Sequence, residues 1–594
     1  MIQLINLFNA IRAARERLLQ RPFWRLTAHF AGRLFSGSDD GGEGALNLGV
    51  GAMLALLATP GLFLTVLLFG KYSPTIRFFR GDRFFEPYAQ SLPDQYFFFT
   101  FSMTITGIVV ALKWESIFPG RRDYMNLAPL PICTRNIFLA NMVAIVSIAV
   151  LFALDINSVS SFLFPLLVTM EKGTFYDYLR FIGMHVTGVL LSSLFIFFAL
   201  FALVGSLMAL LPTQLFHRLS IYIRVAVVIV MLALLCTSFA VPTLLRELSR
   251  SHSVLLRVLP PVWFVGLARS LIGKADPQLA SLGMFGIGMI LGVTALAGTV
   301  YLISYYRHFI RIPEQLETVI RTRAPRSLLP QSWLDRLLLR CPFERACYPF
   351  AFKTLLRNDR QSLLFGGIAG LGLVLAAQSL VAASGRAGFQ GAGLPNPGQL
   401  AVPLILIFFV LCALRFVFDL PAELQANWAA QMIVDTEKHR AVPVARKVML
   451  SLIWPAVIVV ALPAYSYFWG WTVGIGHTIV LLAWSAGLAD LLLRRFRKIP
   501  FTCAYSAWKQ NATAMIVLYA LGYAAFTSMT ADFEYNLLRR HPLLLWIMGS
   551  AALAAWKLFL KFREDELDPT DLIFEEPPAP EVELLNLTGR LPSS

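Results

Sequence analysis

The stretch VLLSSLFIFFALFALVGSLMALL, residues 189–211, contains no charged side chain. A helix needs about 20 apolar residues to cross a bilayer, so this stretch predicts a transmembrane helix. The rest of the 594-residue chain has the same character, with 57% hydrophobic residues, 14% charged residues and a mean hydropathy of +0.65. Soluble domains carry about 25% charged residues. The composition therefore excludes a soluble enzyme, a disordered protein and a disulfide scaffold, and predicts a polytopic membrane protein.

Uncharged runs predict the number and the class of the spans. Each span has to be a helix, because lipid cannot satisfy an open backbone. The predicted fold is all-α, with about twelve transmembrane helices in two six-helix halves and amphipathic interfacial helices. The fourth span is long enough to be strongly tilted or broken. The runs lie at 45–70, 95–112, 136–155, 180–211, 225–245, 279–305, 363–383, 399–417, 448–468, 473–493, 512–530 and 543–560.

The distribution of charge predicts the orientation of these spans. The net charge is +16. With the N-terminus inside, the inner segments hold 32 Lys and Arg residues and the outer segments hold 13, although the inner segments are also longer. The positive-inside rule then places both termini on the cytoplasmic side, and the predicted location is the cell membrane (inner or plasma). The tail 562–594 carries nine acidic and two basic residues and reads as disordered.

Two basic amphipathic segments precede the two halves. In Ile11–Phe35 and again in Glu344–Arg360, basic residues alternate with apolar ones. Such helices lie in the headgroup layer, and the adjacent anionic lipid favours this role over nucleic-acid binding. The predicted organisation is an N-terminal amphipathic segment at 1–44, a six-span half at 45–305, a basic linker with an interfacial helix at 306–362, a second six-span half at 363–561 and the acidic tail at 562–594.

A short pattern repeats after the second span of each half. LAPLPICTR at 127–135 and AVPVARK at 441–447 each place a base within four residues of a proline, just before an apolar helix. The repetition indicates a duplicated six-span unit. A degenerate second half that serves another role stays open.

The motifs of soluble catalysis are absent from the sequence. There is no GxxxxGK[ST] loop, no HExxH and no GxSxG. The six cysteines lack zinc-ligand spacing. We therefore predict no catalytic, cofactor-binding or metal-binding residue. The few ionisable residues close to spans are expected at span ends, where long side chains reach water, and Asp155, His185 and His477 belong to this set.

The loop WESIFPGRRDYMNLAPLP at 114–131 resembles the cytoplasmic loop of type-2 ABC exporter permeases. LPPVWFVGLAR at 259–269 resembles the outer loop between the fifth and sixth spans of that family, which is re-entrant there. The resemblance covers about residues 1–312, and FDLPAEL at 418–424 extends it to the second half. Two fused halves in one chain depart from the usual pattern and imply that one chain supplies a whole permease.

The resemblance implies a transport subunit that is not itself an enzyme. A separate cytoplasmic ABC-type ATPase would bind ATP and Mg²⁺ and drive alternating access, and this chain would bind no cofactor directly. The first ATPase-docking loop would comprise Glu115, Pro119, Gly120, Arg121, Arg122, Asp123, Pro129, Pro131 and Arg135. The second would comprise Asp435, Glu437, Lys438, Arg440, Pro443 and Arg446. The re-entrant outer loop would contain Pro260, Pro261, Trp263 and Phe264.

Other functions stay open at this point. A twelve-span secondary transporter usually needs an ionisable residue at mid-bilayer, and none is predicted here. A membrane-embedded lipid- or glycan-processing enzyme would need acidic clusters on outer loops. The candidates are Asp82, Glu86 and Asp94 in the first outer loop and Asp532 and Glu534 in the last, for which solvated loop faces are expected. The predicted substrate is bulky or amphipathic, and the bilayer is a partner. A second copy or an accessory subunit also stays open as a partner.

Overall fold

The computed structural model describes residues 22–35, 50–80, 85–114, 127, 133–171, 173–250, 255–273, 276–318, 339, 341–387, 394–422, 441–494, 496, 498–502 and 508–566. Every regular element among these residues is a helix. Ten of the helices are long and apolar enough to cross a membrane. The prediction of an all-α, multi-pass membrane protein is therefore confirmed.

Contacts between helices divide the chain into two compact units. The first takes in residues 1–38, 48–326 and 369–378, and the second takes in 39–47, 327–368 and 379–594. The boundaries of the five predicted segments stay a prediction. The first unit contains α1 (Pro22–Phe35), α2 (Val50–Tyr72), α3 (Pro74–Arg80), α4 (Pro87–Leu112), α5 (Thr134–Thr169), α6 (Phe175–Leu210), α7 (Thr213–Arg250), α8 (Leu255–Val258), α9 (Pro260–Ile272) and α10 (Pro277–Thr318).

The helices that follow are α11 (Pro342–Arg357), α12 (Asp359–Ala387), α13 (Pro397–Val417), α14 (Ala441–Ala456), α15 (Leu462–Trp469), α16 (Trp471–Leu492), α17 (Trp508–Ala524), α18 (Thr530–Arg540) and α19 (Leu543–Glu566). A π-helical turn, Val457–Ala461, joins α14 to α15, and a second, Ala525–Met529, joins α17 to α18. Each joined set runs on without a loop. The predicted span at 512–530 is therefore part of a longer helix that reaches Arg540.

Several spans are longer than a bilayer requires. Helices α5 and α6 have 36 residues each, which at 1.5 Å per residue is about 54 Å against a hydrocarbon core of about 30 Å. The break considered for the fourth span is absent, because α6 is continuous. Its start is fixed by a capping box, in which the Asp177 backbone N–H donates to Thr174 Oγ1 over 3.3 Å and the Thr174 N–H donates to Asp177 Oδ2 over 2.9 Å.

The second span is the centre of the first unit. Helix α4 packs against α5, α6, α7 and α9, and α10 packs against α6 and α9. The α4 face toward the core is aromatic, with Phe98, Phe99 and Met103 almost fully buried. Each fully buried side chain of this kind contributes about 2 kcal/mol relative to exposure in water. This estimate applies to soluble cores, so packing between the helices has to supply much of the association in lipid.

The second unit repeats part of this packing order. Helix α13, its second span, packs against α14, α16 and α18, and α19 packs against α16 and α18. In each unit, then, the second span contacts the third, the fourth and the helix before the last span. The last span contacts the fourth span and that same helix. The shared pattern agrees with the duplication indicated by the two proline-containing segments.

An amphipathic helix packs on the third span in each unit. Leu26 and Phe30 lie four residues apart on one face of α1 and contact Ile137, Ala140 and Ala144 of α5. Helix α11 packs on α14 in the same way. There Tyr348 OH donates to Ser451 Oγ over 2.9 Å, and Lys447 Nζ lies 2.6 Å from Glu344 Oε2. These are the two basic amphipathic segments recognised in the sequence.

Helices α9 and α10 approach each other through two glycines. A Cβ atom on Gly266 would lie 2.1 Å from the Leu279 carbonyl oxygen, and one on Gly283 would lie 2.7 Å from the Leu267 nitrogen. These neighbours are backbone atoms, which cannot turn aside as a flexible side chain can. The small residues therefore set the distance between the two helices.

We expect Gly266→Ala to lower the free energy of unfolding by about 1–3 kcal/mol through overpacking. Gly288→Ala is the control, because Gly288 lies on α10 with open space around the added methyl group. Both changes remove a helical glycine, so their propensity effects are alike. Reversible unfolding in mixed micelles measures the difference. Equal stability of the two variants would contradict the close approach.

Candidate functional site

Most of the predicted first docking loop lies outside the described residues. Glu115, Pro119, Gly120, Arg121, Arg122, Asp123, Pro129 and Pro131 belong to that part of the chain, so their role stays a prediction. Three described residues, Trp114, Leu127 and Arg135, lie in or next to this part of the chain. Trp114 is buried at the end of α4, Leu127 is buried against α1, and Arg135 is exposed in the first turn of α5. Trp114, which precedes the loop, and Leu127, within it, are therefore both held by helices of the first unit.

The predicted second docking loop differs from the structure at its end. Asp435, Glu437, Lys438 and Arg440 lie outside the described residues. Pro443 and Arg446, by contrast, lie in the first turns of α14 and not in a loop. Arg446 Nη1 lies 3.3 Å from Asp490 Oδ1 on α16, and Trp556 Nε1 of α19 donates to the same carboxylate. Arg446 therefore forms an internal ion pair.

A buried charge cluster precedes the second docking segment. Asp419 follows α13, and its Oδ1 lies 2.6 Å from both Arg415 Nη1 and Lys498 Nζ. Only 9% of the Asp419 side chain and 5% of the Lys498 side chain are exposed. The carboxylate thus compensates two desolvated bases, which would be costly to leave unpaired. These three residues, Arg415, Asp419 and Lys498, form the Asp419 cluster.

The backbone beside the Asp419 cluster is fixed by further hydrogen bonds. Gln361 of α12 is fully buried and donates to the Pro421 carbonyl over 3.3 Å. The Phe501 N–H donates to the Phe418 carbonyl over 3.2 Å, and the Ala422 N–H donates to the Phe501 carbonyl over 2.9 Å. Phe501 adopts φ +68°, a left-handed conformation that is unusual for an aromatic residue. The surrounding hydrogen bonds hold Phe501 in this conformation. They also fix the position of residues 418–422, which precede the second docking loop.

The residues predicted to form a re-entrant loop make up the buried helix α9. Pro260 and Pro261 begin it, Trp263 and Phe264 are buried, and Gly273 ends it with φ +74°. Proline suits a first helical turn and glycine suits a left-handed C-cap. With 13 residues α9 is too short to span a bilayer.

One arginine fastens α9 to the start of α4. Arg269 donates to the Tyr88 carbonyl over 2.9 Å, to Ser91 Oγ over 3.1 Å and to Gln95 Oε1 over 3.2 Å. Burial lowers the pKa of the guanidinium to about 10, while Tyr72 and Asp276 oppose that shift. Arg269 therefore stays charged at neutral pH. This role cannot be recognised in the sequence, because the partners of Arg269 lie up to 181 residues away.

Two further ion pairs lie at this end of the first unit. Lys71 Nζ lies 2.7 Å from Asp94 Oδ2, which also accepts a hydrogen bond from Tyr72. Arg77 of α3 pairs with Glu171 after α5. Asp94 is thus a paired, largely buried carboxylate and not the expected solvated loop residue. Glu86 is exposed, and Asp82 lies outside the described residues.

The interior of the first unit carries neutral polar side chains. Asn157 Nδ2 donates to Ser102 Oγ over 2.7 Å, and Ser102 shares a hydrogen bond with Ser193. Asn141 Nδ2 donates to Tyr301 OH over 2.8 Å. These contacts join the third span to the second and the sixth through hydroxyl and amide groups.

The expectation that ionisable residues lie only at span ends is wrong in two places. Asp155 lies well inside α5, because that helix continues to Thr169 and does not end near the carboxylate. Glu534 is not on a solvated loop face: it is 1% exposed on α18, beside the fully buried His477 of α16. Asp532, the other member of the expected set, is exposed.

His477 and Glu534 form a buried ion-pairing geometry. His477 Nδ1 lies 2.6 Å from Glu534 Oε1. The Tyr465 ring lies 4.4 Å from the imidazole, centroid to centroid, and Tyr465 OH donates to the Gln399 carbonyl over 2.6 Å. Four helices, α13, α15, α16 and α18, therefore meet at this pair. In the sequence, the glycine at position 476, next to His477, is a signal of close helix packing at this place. Helix α19 approaches Gly476 closely at Trp546.

No group of three or more His, Cys, Asp and Glu side chains suited to a metal ion occurs within the described residues. The absence of cofactor-binding and catalytic residues stays a prediction.

We expect Arg269→Met to lower the free energy of unfolding by about 3 kcal/mol, because three buried acceptors lose a charged donor. Arg345→Met is the control, since Arg345 is exposed on α11, away from α9, and its Nε donates to the Leu339 carbonyl over 3.3 Å. That change should stay within about 0.5 kcal/mol. Denaturant titration of the two variants in micelles compares them. An equal loss in both would show that Arg269 does not fasten α9.

We expect Asp419→Asn to cost about 3–5 kcal/mol, because the buried Lys498 and the partly buried Arg415 lose their counter-charge. Adding Lys498→Met to Asp419→Asn should recover part of that loss, since one unpaired charge is removed. The double-mutant cycle from unfolding free energies gives the coupling. Strictly additive changes would contradict the ion-pairing of the Asp419 cluster.

The geometry thus offers the Asp419 cluster beside the predicted second docking loop, a helix fastened by Arg269, and one buried His–Glu pair. Comparison of the chain with protein-family models, with curated proteins and with solved structures finds no match.

Proposed function

We propose that the chain is the membrane-spanning permease subunit of an ATP-driven ABC exporter. It moves a bulky or amphipathic substrate by alternating access, and a separate cytoplasmic ATPase hydrolyses ATP. The observation that carries the proposal is the repeated packing of the two units. In each, an amphipathic helix packs on the third span, and the helical segment that precedes the last span packs on the second. A six-span half with an amphipathic N-terminal helix is what the resemblance to type-2 permeases implies.

The ends of the predicted docking segments support a coupling role. A docking surface can transmit movement only where its ends are held by the helices it is to move. In the first unit Trp114 and Leu127 are buried beside the predicted loop. In the second, the Asp419 cluster and the Gln361 hydrogen bond to Pro421 hold the start of the segment.

Polar groups buried between the spans support a substrate that is not a small ion. Ser102, Asn157 and Ser193 hydrogen-bond one another within the largely aromatic and aliphatic interior of the first unit. In alternating access these helices would separate, and the same hydroxyl and amide groups would then meet a polar part of the substrate while the aromatic residues around them contact its apolar part. A bulky or amphipathic molecule fits that combination.

The proposed location is the inner or plasma membrane, with both termini cytoplasmic. The basic side chains of the two amphipathic helices support this orientation through the positive-inside rule. It brings Arg121 and Arg122 to the cytoplasmic side, where a partner ATPase would bind.

We expect the double change Arg121→Glu and Arg122→Glu to abolish co-purification of the ATPase, because the charged contacts would become repulsive. The measurement is capture of the chain from mild detergent, with mass spectrometry for a subunit that contains a phosphate-loop motif. Arg257→Glu is the control, as Arg257 is exposed after the fifth span, at the predicted outer end. Unchanged capture by the double variant would refute the docking loop, and no ATPase with the wild-type chain would refute the proposed function.

A twelve-span secondary transporter is the second candidate. The buried His477–Glu534 pair favours it, because ionisable residues within membrane helices commonly serve proton relays. Uptake or efflux driven by an imposed proton gradient without ATP would support this candidate over the first. Dependence on ATP in the presence of the co-purified subunit would support the first.

A further inference from the structure

We propose that His477 and Glu534 form a binding site for one exchangeable proton at the predicted outer end of the second unit. The proposal goes beyond the permease function and holds whichever energy source drives transport. It rests on the burial of the pair, on its charge balance, on the helices that cover it and on a contrast with the first unit.

The pair is buried more completely than a purely structural ion pair would require. His477 is 0% exposed and Glu534 is 1% exposed. Beyond their shared 2.6 Å contact, His477 Nε2 and Glu534 Oε2 have no hydrogen-bond partner among the described residues. Leaving such atoms unsatisfied is costly. Apolar residues of similar size would be as stable or more stable at such a place, so stability alone does not account for the pair.

The charge balance of the pair favours a single proton. With no proton on either group the site carries −1, with one proton it is neutral, and with two it carries +1. The neutral state costs least where water is excluded. The Tyr465 ring, 4.4 Å from the imidazole, adds a favourable surface for the imidazolium form. Taking up or releasing the proton therefore means passing through a charged state, which needs access to water.

No other charged side chain of the described residues competes for this proton. The groups of α16, α13, α14 and α19 lie toward the opposite end, with Asp490 13 residues from His477, or about 20 Å along the helix. On α18 itself the other charged side chains are exposed. Tyr465 OH is engaged with the Gln399 carbonyl. The charged residues on these helices are Arg415, Arg446, Lys447, Asp490, Asp532, Arg539, Arg540, Lys557 and Lys561.

The helices that cover the pair contain irregular turns close to it. Glu534 follows the π-helical turn Ala525–Met529, and Tyr465 follows the π-helical turn Val457–Ala461. These are the two π-helical turns in the described part of the chain, and such turns are frequent at functional sites. Gly470, with φ +87°, lies between α15 and α16. The proposed proton site thus lies beside the irregular parts of its helices, where a local change of helix geometry would give it access to water.

The first unit provides an internal contrast. His185 lies on its fourth span, as His477 does on the fourth span of the second unit, and it is also 0% exposed. Its neighbours are the rings of Phe98, Phe99 and Phe164, at centroid distances of 5.6, 5.7 and 5.1 Å. No acidic side chain of the described residues pairs with it. The carboxylate that completes a proton site is therefore a property of the second unit.

Magic-angle-spinning NMR of the full chain in liposomes, labelled with ¹⁵N-histidine, tests the proposal. Gly476–His477 is the only Gly-His pair in the sequence and Met184–His185 is the only Met-His pair. Labelling glycine or methionine carbonyls with ¹³C thus identifies each histidine without a mutation. We expect the His477 ring nitrogens to change reversibly between the imidazolium and neutral patterns as pH rises from ~4 to ~10. His185 should keep one pattern throughout.

Glu534→Gln shows whether the two residues act as a unit. The amide keeps the shape and cannot share the proton, so the His477 transition should move by at least about one pH unit. His477 signals that do not change with pH in the wild-type chain would overturn the proposal, even if the variant does not fold. An unmoved transition in the variant would also overturn it, as would His185 titrating together with His477. The ATPase capture experiment is independent of all these outcomes.

Discussion

A charge inside a membrane protein needs a partner, because neither lipid nor a packed helix bundle can solvate it. The arrangement of both units follows from this constraint. Charged side chains meet partners near helix ends, as Arg269 does on α4 and Asp419 does with Lys498. Between those ends the described side chains of the first unit contact one another through hydroxyl and amide groups. The charged contacts thus hold neighbouring helices together at their ends, and Asp155, well inside α5, is an exception among the described residues.

The two units show one packing scheme with different chemistry. In both, the helix before the last span packs on the second span. In the first unit Arg269 fastens that helix by neutral acceptors, whereas in the second Glu534 meets a histidine. The two units thus share these helix contacts, whereas the side chains that make them differ. In the first unit the contact is made by the charged guanidinium of Arg269, and in the second by the His477–Glu534 pair, which is proposed to exchange a proton.

The sequence predicts the helical class well because span length and apolar content are local properties. The amphipathic helices α1 and α11 were also recognisable from their alternating bases. The ionisable residues were harder, because ending each span at the nearest charge misplaces a carboxylate that the helix continues past. Asp155 and Glu534 are of this kind. Their surroundings depend on residues far along the chain, such as His477, 57 positions from Glu534, and periodicity carries no such information.

The second predicted docking segment also depends on a residue far along the chain. Arg446 reads as a loop base in the sequence, yet its partner Asp490 lies on a different helix.

The most direct measurement is the rate of ATP hydrolysis in nanodiscs by the purified chain alone and by the complex captured from mild detergent. The account predicts no hydrolysis by the chain alone and hydrolysis by the complex. Robust hydrolysis by the isolated chain would contradict a permease that depends on a separate ATPase.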